Sequence, residues 1–225
     1  LHKSLGFSRQ NTNFLINRVI PIWQIASQVK GCVVECGVGY GRSALLLELI
    51  MSMSNDKRPF YLLDSFQGFP ELTQEDLTGE LKSHKGAFNE ITPNDLWEIL
   101  SVSEGQSADH YIKKNINRVK ILKGFFEDKL NDDLLKSIKQ NGGISLLHLD
   151  VDLYESYKVT LNYFWDLVNK GGVIMLDEYH SSSLKKYPGA KLAIDEFLKT
   201  KNINPDELIK FDNSPTLKKC YLIKP

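Results

Sequence analysis

Residues 32–43 read CVVECGVGYGRS, and this stretch decides the fold. An apolar run, Cys32-Val33-Val34, ends at an acid, Glu35, and three glycines follow at Gly37, Gly39 and Gly41. An apolar, helix-like run starts directly afterwards, over 43–53. Strand, glycine turn and helix is the local geometry that carries backbone N–H groups up to a nucleotide-like ligand. Glycine suits the turn because it accepts positive φ and has no Cβ to hold a ligand away. Glu35, two residues before the first glycine, is expected in the mouth of the turn. It would repel a pyrophosphate there and attract a cationic amino-acid cofactor, so the stretch favours S-adenosylmethionine over NAD. A bare G-x-G-x-G also serves plain strand–helix packing, so the rest of the chain decides.

Working outward, short apolar runs alternate with helical periodicities. Strands are expected at 60–63, 119–122, 144–149 and 173–176, with closing strands at 208–211 and 219–223. Helices are expected at 44–53, 95–100, 107–116, 128–140, 154–168 and 190–198. Asn141-Gly142-Gly143 and Gly171-Gly172 read as helix stops. Residues 13–29 carry apolar positions at helical spacing interrupted by Pro21, which predicts two helices or a kink. That segment suits a cap over the site, a homodimer contact or plain core packing. Residues 68–100 hold glycines, prolines and many charges, and read as a lid-like insertion. Alternating strand and helix signals predict an α/β fold, a doubly wound, mainly parallel sheet in a single domain over 1–225.

Composition bounds the function. The 225 residues suffice for one domain with a full core. With 28 basic and 28 acidic residues the formal net charge is zero, which gives no electrostatic footprint for nucleic acid or an anionic membrane. No apolar stretch approaches the roughly 20 residues of a membrane span. No signal peptide is recognised, although residue 1 is a leucine. Cys32, Cys36 and Cys220 match neither a zinc site nor a disulfide framework, and suggest a reducing cytoplasm.

Four acids, Glu35, Asp64, Asp150 and Asp177, fall at the carboxyl ends of expected strands, where ligands bind in such sheets. Asp64 is placed to accept hydrogen bonds from ribose hydroxyls. Asp150 and Asp177 end strands expected to be neighbours, about 4.8 Å apart, and Glu178 adds a third carboxylate. Crowded carboxylates raise one another's pKa unless a cation shares the site, and all-oxygen ligation suits Mg²⁺. His148 shares the side of Asp150 on its strand and reads as a hydrogen-bonded core histidine. His84 and His110 read as solvated, and His180 as a surface residue or a base.

The blocks VVECGVGYGRSA, LLDSFQGFP, KGFFEDKL, LHLDVDLYESY and GGVIMLDEY together resemble the macrocin O-methyltransferase (TylF/MycF-like) family of S-adenosylmethionine-dependent enzymes, from about 31 to 197. The resemblance implies a Rossmann-like, seven-stranded sheet whose last strand runs antiparallel, and Mg²⁺-dependent methylation of hydroxyls, often on deoxysugars. It places Asp150, Asp177 and Glu178 at metal positions and Asp152 at the position of a general base, with His180 a second catalytic candidate. It places Glu35, Gly37 and Asp64 at cofactor positions. Val38, Gly39, Tyr40, Ser43, Ser65, Gly124, Phe125 and Asp150 complete the candidate cofactor set. The family has Asp-Asp where this chain has Asp177-Glu178, which keeps the oxygen ligand but lengthens it by a methylene. The expected partner is a small-molecule hydroxyl acceptor of carbohydrate type. An NAD-dependent oxidoreductase and a non-catalytic nucleotide-binding module are the competing readings.

Overall fold

The computed structural model describes residues 13, 15–78, 80, 84–179, 186–210 and 220–225. Five parallel strands, β1 (Cys32–Cys36), β2 (Phe60–Asp64), β3 (Val119–Lys123), β4 (Ile144–Leu149) and β5 (Val168–Leu176), are joined by two antiparallel ones, β6 (Ile209–Lys210) and β7 (Cys220–Ile223). Their order across the sheet is β3-β2-β1-β4-β5-β7-β6, with β7 antiparallel to both its neighbours. The chain reverses its direction of winding between β1 and β4, and ligands in such sheets bind above that point.

Helices cover both faces. One face receives α1 (Ile20–Ala26), α2 (Arg42–Met53), α3 (Pro93–Ser101) and α4 (Ala108–Asn115), which pack on Val33, Phe60, Leu62, Leu146, Val173 and Met175. The other receives α6 (Asp132–Gln140), α7 (Tyr154–Phe164) and α8 (Pro188–Thr200), which pack on Val34, Cys36, Leu63, Leu147, Leu149, Ile174 and Leu176; a one-turn helix, α5 (Phe126–Lys129), precedes α6. Side chains alternate between faces along each strand, and every residue of β1 and β4 is buried. A sheet covered on both sides buries its central strands along their whole length.

Of the two alternatives expected at Pro21, two helices are found: a π-helical turn at Leu15–Val19 and then α1, in whose first turn Pro21 sits and where its missing N–H removes no helix bond. Two other local expectations are corrected. The single helix expected over 128–140 is two, because Asn131 accepts the Leu134 N–H and caps a new helix. The glycine pair Gly171-Gly172 lies inside β5, which begins at Val168 after a 3-10 turn (Trp165–Leu167), so α7 stops at Phe164. A register shift between Ile144 and Leu146 against β5 absorbs the extra residues, with Gly171 at φ +80°. The expected strand residues Phe211 and Lys219 lie outside the described residues.

Candidate active site

A cavity of about 460 Å³ opens at the carboxyl edge of the sheet. The glycine turn supplies Gly37, Val38, Gly39, Tyr40, Arg42 and Ser43; the end of β2 supplies Asp64 and Ser65; the turn after β3 supplies Gly124 and Phe125; and the segment after β4 supplies Asp150, Val151, Asp152 and Ser156. Phe69, Pro70 and Phe88 close it from the insertion, and Arg18 enters from the N-terminal segment. The candidate cofactor residues therefore share one wall, with Glu35 the exception.

The glycine turn is drawn tight by Asp64. Asp64 Oδ2 accepts the N–H of Val38 (2.8 Å) and of Gly39 (3.2 Å), and Oδ1 accepts that of Phe66 (2.8 Å). Burial raises the Asp64 pKa, these three bonds counter it, and the Asp150 charge adds to the rise. Gly37 holds φ +80°, and a Cβ there would overlap the Asp150 carbonyl group, 2.7 Å from its carbon. The turn thus presses directly on the segment that carries the acids.

Glu35 does not face the cavity mouth, and the sequence-based placement is corrected. It shares the α1–α4 face of the sheet with Val33, two residues earlier. It is fully buried, accepts the Ser43 hydroxyl, and lies 3.2 Å from His148 Nδ1. The same face holds Asp177, 3.8 Å from His148 Nε2 and 3.9 Å from Arg18 Nη1. The result is a buried row, Glu35–His148–Asp177, behind the cavity wall, ending at two residues that line the cavity, Ser43 and Arg18. His148 is a core histidine, as expected, in contact with acids on both sides.

Asp177 and Glu178 are consecutive, so the strand's alternation sends them to opposite faces. Glu178 lies with α7: Tyr157 Oη is 2.5 Å from Glu178 Oε2 and 2.9 Å from the Leu149 carbonyl oxygen, and accepts the Asp177 N–H at 3.2 Å. One phenolic proton cannot serve two acceptors at once, and a proton on Glu178 completes the set. Burial, with the charges of Asp150 and Asp152, pushes the Glu178 carboxyl well above the usual range.

The acids form two groups that share Asp150: His148, Asp150 and Asp177 on one side, and Asp150, Asp152 and Glu178 on the other, with ligand atoms within 4.8 Å in each. The sequence-based set Asp150, Asp177 and Glu178 is thus distributed around Asp150 rather than gathered on one side of it. The group with Asp152 and Glu178 offers only oxygen donors and crowds three carboxylates, a donor set that fits Mg²⁺.

Asp152 adopts φ +60°, uncommon for a residue with a side chain, inside a tight turn closed by Leu153 N–H to Val151 O at 2.6 Å. Such strain costs about 1–3 kcal/mol and concentrates at functional sites. Tyr187 forms a hydrogen bond with Asp152, and burial together with the nearby acids pushes its phenol up. His180 lies outside the described residues, while His84 and His110 are exposed.

The insertion is anchored at two points. Phe69 N–H donates to Ala87 O and Gly86 N–H to Phe69 O, each at 2.9 Å, and Gly68 packs too closely on Gly86 and Ala87 to carry a Cβ. Asp76, 1% exposed, accepts from Thr73 N–H and Oγ1 (3.0 Å each) and from Tyr154 N–H (2.9 Å). Asp76 therefore caps α7 from a distant segment, since the residue at the cap position, Leu153, has no acceptor. Reasoning from sequence missed Arg18, Asp76, Tyr157 and Tyr187. Only Asp76 left a signal there, the turn pattern T-x-x-D.

The sheet order, the cavity above the glycine turn and the acids at its edge define a Rossmann-like methyltransferase. The chain matches the model of the macrocin-O-methyltransferase (TylF) family over residues 15–218 and belongs to that family of S-adenosylmethionine-dependent O-methyltransferases. It is similar to demethyldecarbamoylnovobiocin O-methyltransferase of Streptomyces niveus, 29% identical over 94% of this chain and 72% of that protein. It is also similar to mycinamicin III 3''-O-methyltransferase of Micromonospora griseorubida, 24% identical over 82% of this chain and 66% of that protein. Among solved structures, the calicheamicin methyltransferase CalS11 shares the fold with a TM-score of 0.78 at 22% identity, over 98% of this chain and 82% of that one. The O-methyltransferase NovP has a TM-score of 0.60 at 25% identity, over 93% and 80%. Family membership sets aside the oxidoreductase and non-catalytic readings. Among the described residues no helix is long and apolar enough to cross a membrane.

Proposed function

We propose that this protein methylates a sugar hydroxyl of a glycosylated small molecule or a nucleotide sugar, with Mg²⁺ as a second cofactor. One observation carries the reading: Asp150, shared by both acid groups, lies on the wall of the same cavity as the glycine turn and Asp64. Donor and acceptor sites therefore meet in one chamber. The relatives named above act, by their names, on novobiocin- and mycinamicin-type molecules, which supports a glycosylated acceptor.

The chain's own groups divide the work. Val38, Gly39 and Asp64 hold the nucleoside end of the cofactor, Gly37 and Ser43 face its amino-acid end, and Phe125 lies against the base. Asp152 takes the acceptor proton, and Tyr187 orients its carboxylate. Phe69, Pro70 and Phe88 exclude water, so that the methyl group passes to oxygen rather than to solvent. Asp150 and Glu178 would hold Mg²⁺, with Asp177 on the other side of Asp150 as a further oxygen donor, and the ion would supply a Lewis acid that lowers the pKa of a hydroxyl. Holding acceptor oxygen and methyl carbon in line then supplies much of the remaining acceleration.

The test is methyl transfer from radiolabelled S-adenosylmethionine to a panel comprising TDP-rhamnose, demethyldecarbamoylnovobiocin, free deoxysugars and catechol. Label recovered on a sugar oxygen is expected. Transfer confined to catechol would overturn the acceptor assignment.

A further inference from the structure

We infer that Arg18 recognises the carboxylate of the cofactor's amino-acid end. The inference rests on S-adenosylmethionine as the cofactor, and it concerns a residue of the N-terminal segment, for which the sequence allowed a cap over the site, a homodimer contact or core packing.

The amino-acid end of the cofactor is a zwitterion, and a cavity that takes it must answer a carboxylate as well as an ammonium. Acids are plentiful here: Asp64, Asp150, Asp152 and Glu127 line the cavity. Cations are scarce. Among the described residues the lining contains two, Arg18 and Arg42, and Arg42 is exposed while Arg18 is 3% exposed.

Backbone amides are the usual alternative for an anion at a glycine turn, but here they are largely engaged. Val38 and Gly39 N–H donate to Asp64, Gly37 N–H to Leu63 O, and Gly41 N–H to Val38 O. The Ser43 hydroxyl is directed at Glu35. A carboxylate arriving beside Gly37 and Ser43 therefore meets Arg18 as the buried positive charge on that wall.

The guanidinium is also held in readiness. Burial lowers the Arg18 pKa to about 10 and the charge of Asp150 opposes that fall, so Arg18 stays a cation at neutral pH. Asp177, 3.9 Å from Nη1, steadies it from behind. A planar guanidinium presents paired donors to a carboxylate, which lysine does not. The competing role is that of a counter-ion for Asp150 and Asp177 with no ligand contact.

Calorimetry with two ligands separates these roles: S-adenosylhomocysteine, and its decarboxylated counterpart S-adenosyl-3-thiopropylamine, which keeps the adenosine and the amine. Wild-type protein is expected to bind the carboxylate-bearing ligand roughly 10- to 100-fold more tightly, the range of a charge-assisted pair. Arg18→Gln is expected to lose that preference, with the affinity for the decarboxylated ligand unchanged within about twofold, and Arg18→Lys to keep part of it. Equal affinity of the wild-type protein for the two ligands would overturn the inference without any variant, so a variant that fails to fold does not rescue it. Equal weakening of both ligands in Arg18→Gln would assign Arg18 to the counter-ion role and overturn it as well. If the wild-type protein binds neither ligand, the cofactor assignment itself fails, an outcome distinct from the loss of discrimination.

Discussion

Replacing Gly37 by alanine tests whether the glycine turn and the acidic segment are one rigid unit. At φ +80° an alanine pays the left-handed penalty of roughly 1–2 kcal/mol. Its Cβ would also overlap the Asp150 carbonyl group, 2.7 Å from the carbon. Its closest partner is backbone, so the chain has to move by about 1 Å or more, at an overpacking cost of about 1–3 kcal/mol. The sum, about 2–5 kcal/mol, corresponds to a fall in Tm of roughly 4–20 °C for a chain of this size. Gly142 is the control: its φ is +84° with nothing within 4 Å of a Cβ, so Gly142→Ala carries only the backbone term. Scanning calorimetry measures both variants, and titration with S-adenosylhomocysteine measures the site. Gly37→Ala is expected to melt well below Gly142→Ala and to bind the ligand at least tenfold more weakly. Equal melting temperatures, or wild-type affinity in Gly37→Ala, would refute the rigid coupling.

Further outcomes follow from the same geometry. Asp64→Ala removes the acceptor for three backbone amides that shape the turn, and S-adenosylhomocysteine affinity by calorimetry is expected to fall more than tenfold. Asp152→Asn is expected to leave that affinity near wild type and to cut methyl transfer by roughly 10²–10⁴, the reach of a general base. Asp76→Ala uncaps α7 and strands the donors of Thr73 and Tyr154, which costs about 2–4 kcal/mol in chemical denaturation. Because the Glu178 carboxyl is raised in the folded state, the folded protein binds the extra proton; stability without metal is full below about pH 4.5 and declines as pH rises toward the raised value. Glu178→Gln is expected to flatten that decline in a Tm-against-pH series, whereas an unchanged slope would assign it to other groups.

Much of the fold could be read from period and punctuation. Apolar runs closed by Glu35, Asp64, Asp150 and Asp177 mark parallel strands whose carboxyl ends share an edge, and the structure places all four strands side by side. What escaped were consequences of alternation and of distance. Glu35 falls on the same face as Val33 and so points away from the cavity mouth, a consequence of period two that spacing from the glycines does not convey. The same rule separates Asp177 from Glu178. The break at Asn131 depends on one side-chain cap, and the start of β5 at Val168 depends on a register shift that accommodates Gly171-Gly172; neither has a periodic signature. Arg18 and Asp76 act across more than 70 residues of chain, on Asp150 and Tyr154, and no local pattern announces such partners.

The most direct test of the central claim is methyl transfer measured on protein stripped with EDTA and then titrated with Mg²⁺, using the sugar acceptor that the radiolabel panel yields. Transfer to a sugar oxygen is expected to vanish on stripping and to return with added Mg²⁺. The same restoration is expected to require far more Mg²⁺ in Asp177→Asn. Undiminished transfer by the stripped protein would contradict the assignment of the Asp150-centred acids as a metal site.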